Sequence, residues 1–338
     1  MKSITVFNNK GGVGKTTFLC NLASCIALKL SKKVLIIDAD PQCNATIYML
    51  PTEETTQLYE SSAPKTIDSF LEPLRKGKGY KKDKMFAIKS ERFGIDLIPG
   101  DPRLALSEDL LASDWISGAS GNPRGLQTTF VFKEMMLRYS DYDYIFIDVG
   151  PSLGAINRAI LIGSDYFVVP MSADIFNLMA IKNIALSLTK WKRSLEKGLA
   201  DFEVEEGDSY DLYGHPVEWT LSFIGYVTQQ YTAKKVEGKR QPVKAFEKIL
   251  RRMPRLIKDE LIDKFSILPS GAKYKLGEIP SLHSVVPMSQ SANAPIFELK
   301  AKDGVVGAHF VKVSEAESIY YGIAKALLVN VETIKGSV

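Results

Sequence analysis

Lys10-Gly11-Gly12-Val13-Gly14-Lys15-Thr16-Thr17 follows the apolar run Ile4-Thr5-Val6-Phe7. Backbone amides in such a glycine-rich turn can converge on phosphate oxygens, because no Cβ blocks the approach. Gly11, Gly12, Val13 and Gly14 would form the cradle. Lys15 would set a point charge on the β- and γ-phosphates, and the hydroxyl of Thr16 would bind Mg²⁺. A helix starting there, with Thr17 in its first turn, would aim its positive end at the phosphates. The general pattern G-x-x-x-x-G-K-[ST] is broken, since its first glycine position is Asn9. A second lysine, Lys10, stands beside it. Average residue usage gives K-G-G-x-G-K-T odds below roughly 1 in 1,000 of arising by chance in a chain this long.

The context is that of a strand, a turn and a helix. Phe18, Leu19, Leu22, Ala23, Ile26, Ala27 and Leu30 recur at helical spacing after the turn. Val34-Leu35-Ile36-Ile37 is a continuous apolar run, the mark of a buried parallel strand. It ends in Asp38-Ala39-Asp40-Pro41-Gln42. A second run, Tyr144-Ile145-Phe146-Ile147, ends in Asp148. Acids at the C-terminal ends of parallel strands lie where open α/β sheets bind ligands. Together with the glycine turn they form a Mg²⁺-nucleotide constellation.

K-G-G-V-G-K-T-T, then D-A-D-P-Q-C-N-A-T, then Y-D-Y-I-F-I-D-V-G-P-S-L-G-A-I-N-R-A-I-L resembles the ParA/MinD family of deviant Walker A ATPases, and its partitioning branch most. The likeness is good over roughly 1–50 and 93–190, and runs through Ser164–Pro170. It is weaker at Ile224–Thr228 and Leu276–Pro280. The resemblance implies a slow Mg²⁺-dependent ATPase that closes two subunits face to face around ATP. It implies that Lys10 reaches the partner's phosphates, that a side chain at Gly12 would block closure, and that Lys15 grips the β/γ-phosphates. Asp40 would position the attacking water, and Thr16, Asp38 and Asp148 would hold Mg²⁺ or its waters. Catalysis would be mostly positioning and charge neutralisation. Cys43 stands where many relatives carry glycine, and Gly150 where many carry proline. Thr228, Gln229 and the Pro280 region are weak candidates for the adenine contact.

The chain of 338 residues can bury a large core. Alternating apolar strands and helical patterns predict a doubly wound, mostly parallel sheet flanked by helices. One ParA-like domain over 1–338 is expected, with insertions at about 51–92 and 193–222 and a basic segment at about 231–258. The first strand starts at once and no long apolar stretch occurs, so neither a signal peptide nor a membrane helix is expected. A cytoplasmic location follows, on the nucleoid if DNA is bound. Cys20, Cys25 and Cys43 make no C-x-x-C pair and read as small buried hydrophobes; His215, His283 and His309 fall in no ligand pattern.

The divergent parts are charged. Arg75–Lys84 is a basic, glycine-containing tract expected in a loop, after a short helical pattern at Thr66–Leu74. A strand is expected at Gly94–Pro99, a loop at Gly118–Gly125 and a helix at Leu126–Tyr139. The acidic stretch 196–211, with Glu203, Glu205, Glu206, Asp208 and Asp211, reads as a solvated insertion. Residues 231–258 hold ten basic and two acidic residues, a net +8 in a chain of +4. Lys244, Lys248, Arg251, Arg252 and Arg255 lie opposite the apolar Val243, Phe246, Ile249 and Leu250 on a helical pattern. Such a face can hold phosphate backbones. The ParA resemblance implies non-specific DNA binding by the ATP dimer, reset by a ParB-like or other stimulating partner. No base-reading motif is visible. The last helix, about Glu315–Leu328, carries acids and reads as core-packing, which disfavours a membrane. The main reading is therefore a DNA-partitioning switch with ATP and Mg²⁺ as cofactors. The alternative is a nucleotide switch that positions or regulates a protein complex, as in phage defence. A third is a small-carboxylate kinase, for which no substrate motif stands out.

Overall fold

The computed structural model describes residues 1–83, 86–172, 174–231, 233–236, 239–242, 244–282 and 284–335, with the side chains of 230–248, 250 and 335 outside that description. The first half runs β1 (Lys2–Val6), α1 (Lys15–Leu30), β2 (Val34–Asp38), α2 (Asn44–Met49), α3 (Thr52–Glu60), α4 (Asp68–Arg75), β3 (Ile88–Ser90) and β4 (Ile95–Ile98). Helices α5 (Glu108–Gly118), α6 (Pro123–Thr129) and α7 (Val131–Leu137) lead to β5 (Tyr144–Asp148), α8 (Ala155–Gly163), β6 (Tyr166–Ser172) and the long α9 (Ile175–Glu206). Two short hairpins flank the next long strand: β7 (Asp211–Leu212) with β8 (His215–Pro216), then β9 (Ser222–Tyr231), then β10 (Ala233–Val236) with β11 (Lys239–Pro242). The chain closes with α10 (Lys244–Ile257), α11 (Asp263–Phe265), β12 (Lys275–Pro280), α12 (Val285–Ser291) and α13 (Ala308–Lys335).

Eight strands form one sheet in the order β12-β9-β6-β1-β5-β2-β4-β3. All neighbours are parallel except β3 and β4. The expected mostly parallel sheet flanked by helices is therefore found. The central strands are buried on both faces, which explains their unbroken apolar runs. One core layer joins the sheet to α1, α12 and α13; the other joins it to α4, α7, α8 and α9. Phe18, Leu19, Leu22 and Ile26 of α1 are fully buried in the first layer. Each contributes about 1.5–3 kcal/mol by leaving water. This burial clamps the helix that follows the glycine turn.

The register decides the site. Val6 pairs with Asp148, and Asp38 pairs with Asp148 on the other side of β5. The chain leaves β1 toward β2 on one flank, and β6 lies on the other. The glycine turn thus sits at the point where the strand order changes direction, where such sheets bind ligands.

Some expectations need redrawing. The helix expected over Leu126–Tyr139 is two helices that meet at Phe130. Thr129 Oγ1 donates to the Gly125 carbonyl, a side-chain bond that competes with the helix ladder. The loop expected at Gly118–Gly125 is shorter, since α5 and α6 reach into it. Glu203, Glu205 and Glu206 are the last turns of α9, and only then does the chain turn into the β7–β8 hairpin. Phe130, Leu126, Leu195, Leu212 and Val217 build a third, smaller core there, with Tyr80 packed on it from the earlier charged stretch. The two divergent stretches therefore touch. Cys20, Cys25 and Cys43 are free and buried. His283, Lys84 and Val243 lie outside the described residues.

Candidate functional site

Gly12 and Gly14 hold φ of +71° and +75°, a left-handed conformation that favours glycine. They bend the chain so that α1 starts without a side-chain cap and without an acid in its first turn. Its opening amides therefore lack an intramolecular anion, and an uncapped helix start is a ready anion site. A cavity of about 430 Å³ lies over them. Gly12, Val13, Gly14, Lys15, Thr16 and Thr17 line it, with Asp40 and Tyr48 opposite. Gly11 and Lys10 do not line it.

Lys15 is 8% exposed, and its ammonium donates to the Lys10 carbonyl at 3.4 Å. Burial lowers its pKa, opposed by the charges of Asp148 and Asp40. Thr16 Oγ1 donates to Asp148 Oδ2 at 2.7 Å. Asp148 is fully buried and its Oδ1 has no hydrogen-bond partner among the described residues. Burial, then the neighbouring Asp38, push its carboxyl up to about 8. Burial also pushes Asp38 up to about 6, opposed by the Thr46 hydroxyl and amide, which donate to Asp38 Oδ2 at 2.7 and 2.8 Å. Asp38 is thus engaged by α2, whereas Asp40 faces the cavity and accepts from the Gln42 amide at 3.0 Å. Asp38, Asp40 and Asp148 are all buried, against Lys15 as the cavity's lysine. That excess of negative charge, with an orphaned carboxylate oxygen beside a hydroxyl, fits a divalent cation. No cluster of three His, Cys, Asp or Glu forms a metal cage among the described residues. Thr16, Asp148 and water or phosphate oxygens would have to hold the ion.

Lys10 points elsewhere. Its ammonium is 2.5 Å from Asp174 Oδ2, with the two side chains 30% and 27% exposed. Asp174 also caps α9 by accepting from the Asn177 amide. Asn8 braces this corner: it donates to the Pro170 carbonyl and to Asn177 Oδ1, and its own Oδ1 accepts from the Lys10 amide. Asn8 and Asp174 carried no sequence signal, since their partners come from strands and helices far along the chain. Glu108 was also missed. Its carboxylate accepts from the Ala155 and Ile156 amides and so fixes α8, just after the Asp148 loop. Asn21 joins α1 to α2 and to the segment at Ile296, through Tyr48 and the Ile296 amide.

A second cavity of about 470 Å³ also opens on the turn, at Gly14 and Thr17. Gln229, Pro280, Leu282 and Val286 wall it. Gln229 is 4% exposed and its Nε2 has no partner among the described residues; Thr228 Oγ1 is likewise buried and unpartnered. Two orphaned polar groups beside apolar walls suit a flat heterocycle with polar edges.

The described residues of α10 line neither of these two cavities. Arg251, Arg252 and Arg255 are exposed on α10 while Met253 and Ile257 are buried. Arg255 is 3.7 Å from Asp259. The side chains of Lys244 and Lys248 lie outside the described residues. Among the described residues, no helix is long and apolar enough to cross a membrane.

A glycine turn after the first strand of a parallel sheet, an uncapped helix and buried strand-end acids define a P-loop nucleotide-binding protein. A family model described as an AAA domain matches residues 1–200. Chromosome partitioning protein ParA of Caulobacter vibrioides is 28% identical over 204 residues, 59% of this chain and 66% of that protein. Sporulation initiation inhibitor protein Soj of Bacillus subtilis is 31% identical over 184 residues, 54% of this chain and 63% of that protein. The match spans about two thirds of these curated relatives. Among solved structures, protein DIP2308 of Corynebacterium diphtheriae covers 87% of this chain and 97% of its own, with TM-score 0.69 and 32% identity. The ATP complex of a Cyanothece McdA variant aligns over 97% of this chain and 96% of its own, with TM-score 0.63 and 21% identity, a likeness of fold. The chain belongs to the ParA/MinD family of P-loop ATPases.

Proposed function

We propose that this protein is an ATP-driven dimer switch of the ParA type, which hydrolyses ATP slowly, binds DNA non-specifically when ATP-bound and serves DNA partitioning. The observation that carries the reading is the placement of Lys10. It belongs to the phosphate turn yet does not line the cavity of its own chain. It rests instead on an acid at the surface. A lysine so placed can serve a second copy's phosphates.

Bound Mg²⁺-ATP supplies the scissile phosphoanhydride and the cation that neutralises charge on it. The amides of Gly12–Thr17 and the Lys15 ammonium hold the phosphate oxygens. Thr16 and Asp148 would hold the cation or its waters, with Asp38 keeping α2 in place through Thr46. Asp40 faces the cavity and orients the attacking water. Gln229, Thr228 and the Pro280 loop receive the adenine. Lys10 leaves Asp174 and completes the charge balance across the dimer. The exposed arginines of α10 support DNA as the partner. A ParB-like or other protein resets the switch by stimulating hydrolysis.

A second reading, a switch that regulates a protein complex, draws on the small third core shared by the two divergent stretches. Both readings meet one experiment: sizing the protein with no nucleotide, with ATP, and with ATP plus random duplex DNA. ATP-dependent doubling of mass with salt-sensitive DNA binding is expected. Dimers without DNA affinity would move the conclusion to the second reading. A monomer in saturating Mg²⁺-ATP would sink both.

A further inference from the structure

The geometry points to a nucleic-acid groove between α9 and α10, with most of its charge on α9. In it Lys182, Lys190 and Arg193 join Arg252 to hold the sugar-phosphate backbone of duplex DNA. This rests on the reading that the ATP-bound protein binds DNA, and it names where.

Residues 175–193 carry four basic residues and no acid. Lys182, Leu186, Lys190 and Arg193 follow one another at helical spacing, so they form a stripe on one face of α9. The stripe spans about 16 Å along the helix axis at 1.5 Å per residue. One DNA strand places a phosphate every ~3.4 Å of axis, so about five phosphates fit that length. The opposite wall comes from α10 and α11. Lys182 and Arg252 line one end together, and Lys190 and Arg193 share a cavity of about 830 Å³ with Lys264 at the other.

The charges on the stripe are uncommitted. Lys182, Lys190, Arg193 and Arg252 have no acidic partner among the described residues. Their neighbours are already paired: Lys192 with Glu196, Lys264 with Glu260 and Arg255 with Asp259. The arrangement selects duplex over single strand. Trp191 is buried at 6% exposure, and Phe265, which lines the cavity, is only 7% exposed, so among the described residues the groove offers no open ring face on which a base could stack. Among the described residues it also carries no set for reading base edges, so contacts would be to the backbone and independent of sequence.

The test uses the full chain with Mg²⁺-ATP and a labelled random 30-base-pair duplex, with anisotropy read across a salt series. Lys190→Glu with Arg193→Glu should weaken binding by at least about tenfold and flatten the log–log salt slope by about 2. Lys182→Glu with Arg252→Glu should do the same. The milder Lys190→Gln with Arg193→Gln should lower the slope by a like amount, which separates lost contacts from misfolding. Basal ATP hydrolysis should stay at the wild-type rate in all three. If the α9 variants bind as wild type while charge reversal at Arg251 and Arg255 abolishes binding, the α9 groove is wrong and DNA binding stands. If the wild type binds no DNA, both fall. If the α9 variants keep DNA affinity but lose affinity for polyglutamate, the groove takes acidic polypeptide and the proposal is overturned.

Discussion

Gln229→Leu should strengthen the empty protein and weaken its hold on ATP. The side chain is 4% exposed and its amide nitrogen has no partner among the described residues. An unsatisfied buried polar group costs about 1–3 kcal/mol. Leucine has nearly the same reach and no polar atom, and its neighbours Pro280, Leu282 and Val286 are apolar. The nucleotide-free fold should therefore gain about 1–2 kcal/mol once some lost packing is allowed for. At about 2.1 cal/mol/K per residue, unfolding this chain carries an entropy near 0.7 kcal/mol/K, so Tm should rise by roughly 1.5–3 °C. Binding moves the other way. An adenine edge can no longer meet the amide, and one neutral hydrogen bond is worth about 0.5–1.5 kcal/mol, so affinity should fall by roughly 2- to 12-fold. The assay is thermal unfolding without nucleotide, in chelator, set beside titration with a fluorescent ATP analogue. The opposite signs make the test sharp. A variant that is less stable when empty refutes the orphaned amide. A variant that binds ATP as wild type refutes the adenine site.

Three other substitutions probe the remaining parts. Lys10→Ala should cost under about 1 kcal/mol of stability, because its ion pair is about a third exposed; ATP-dependent dimerisation, followed by sedimentation, should vanish, and a variant that still doubles its mass would refute the cross-subunit role. Asp40→Ala removes the acid that lines the cavity, one of three buried beside the phosphate turn, so ATP should bind as well or better while turnover, measured by phosphate release, stalls; unchanged turnover would exclude water positioning. Arg92 binds Asp303 through two hydrogen bonds of 2.9 and 2.8 Å, and this holds the carboxyl below its usual 3.8. A depressed carboxylate stabilises the fold above its unfolded pKa and loses that contribution as pH falls through the folded value. Asp303→Asn should lose about 1–2 kcal/mol in urea unfolding at pH 7, with the difference shrinking below about pH 3.9. An offset of equal size at pH 7 and pH 3 would contradict the linkage.

The phosphate turn and the strands beside it were legible because their signals are local. Four apolar residues in a row mark a strand buried on both faces, and Asp38 and Asp148 end two such runs. Their adjacency was not legible, since it depends on β2 and β5 pairing in register across more than a hundred residues. The same distance hides Asn8, Asn21 and Glu108. Each is an ordinary polar residue until the fold brings its partner, and Asn21 meets Ile296 at a separation of 275 residues. Gln229 stood out only weakly, as one candidate for the adenine contact. Its value lies in what it lacks, a hydrogen-bond partner, and a lack of that kind exists only in three dimensions. The acidic run after residue 196 misled for a different reason. Glutamates are good helix formers on an exposed face, so charge alone does not separate a helix end from a loop.

Helix α9 is one uninterrupted rod of 32 residues. At 1.5 Å per residue it is about 48 Å long, so a tilt of about 5° pivoting at one end swings the other by about 4 Å. One end is anchored by Asp174, the residue that holds Lys10. Leu195, Leu199 and Phe202 grip the other in the third, smaller core. Were Lys10 to leave Asp174 for a second copy's phosphates, a tilt released at that end would be carried along the rod to the third core, far from the phosphate turn.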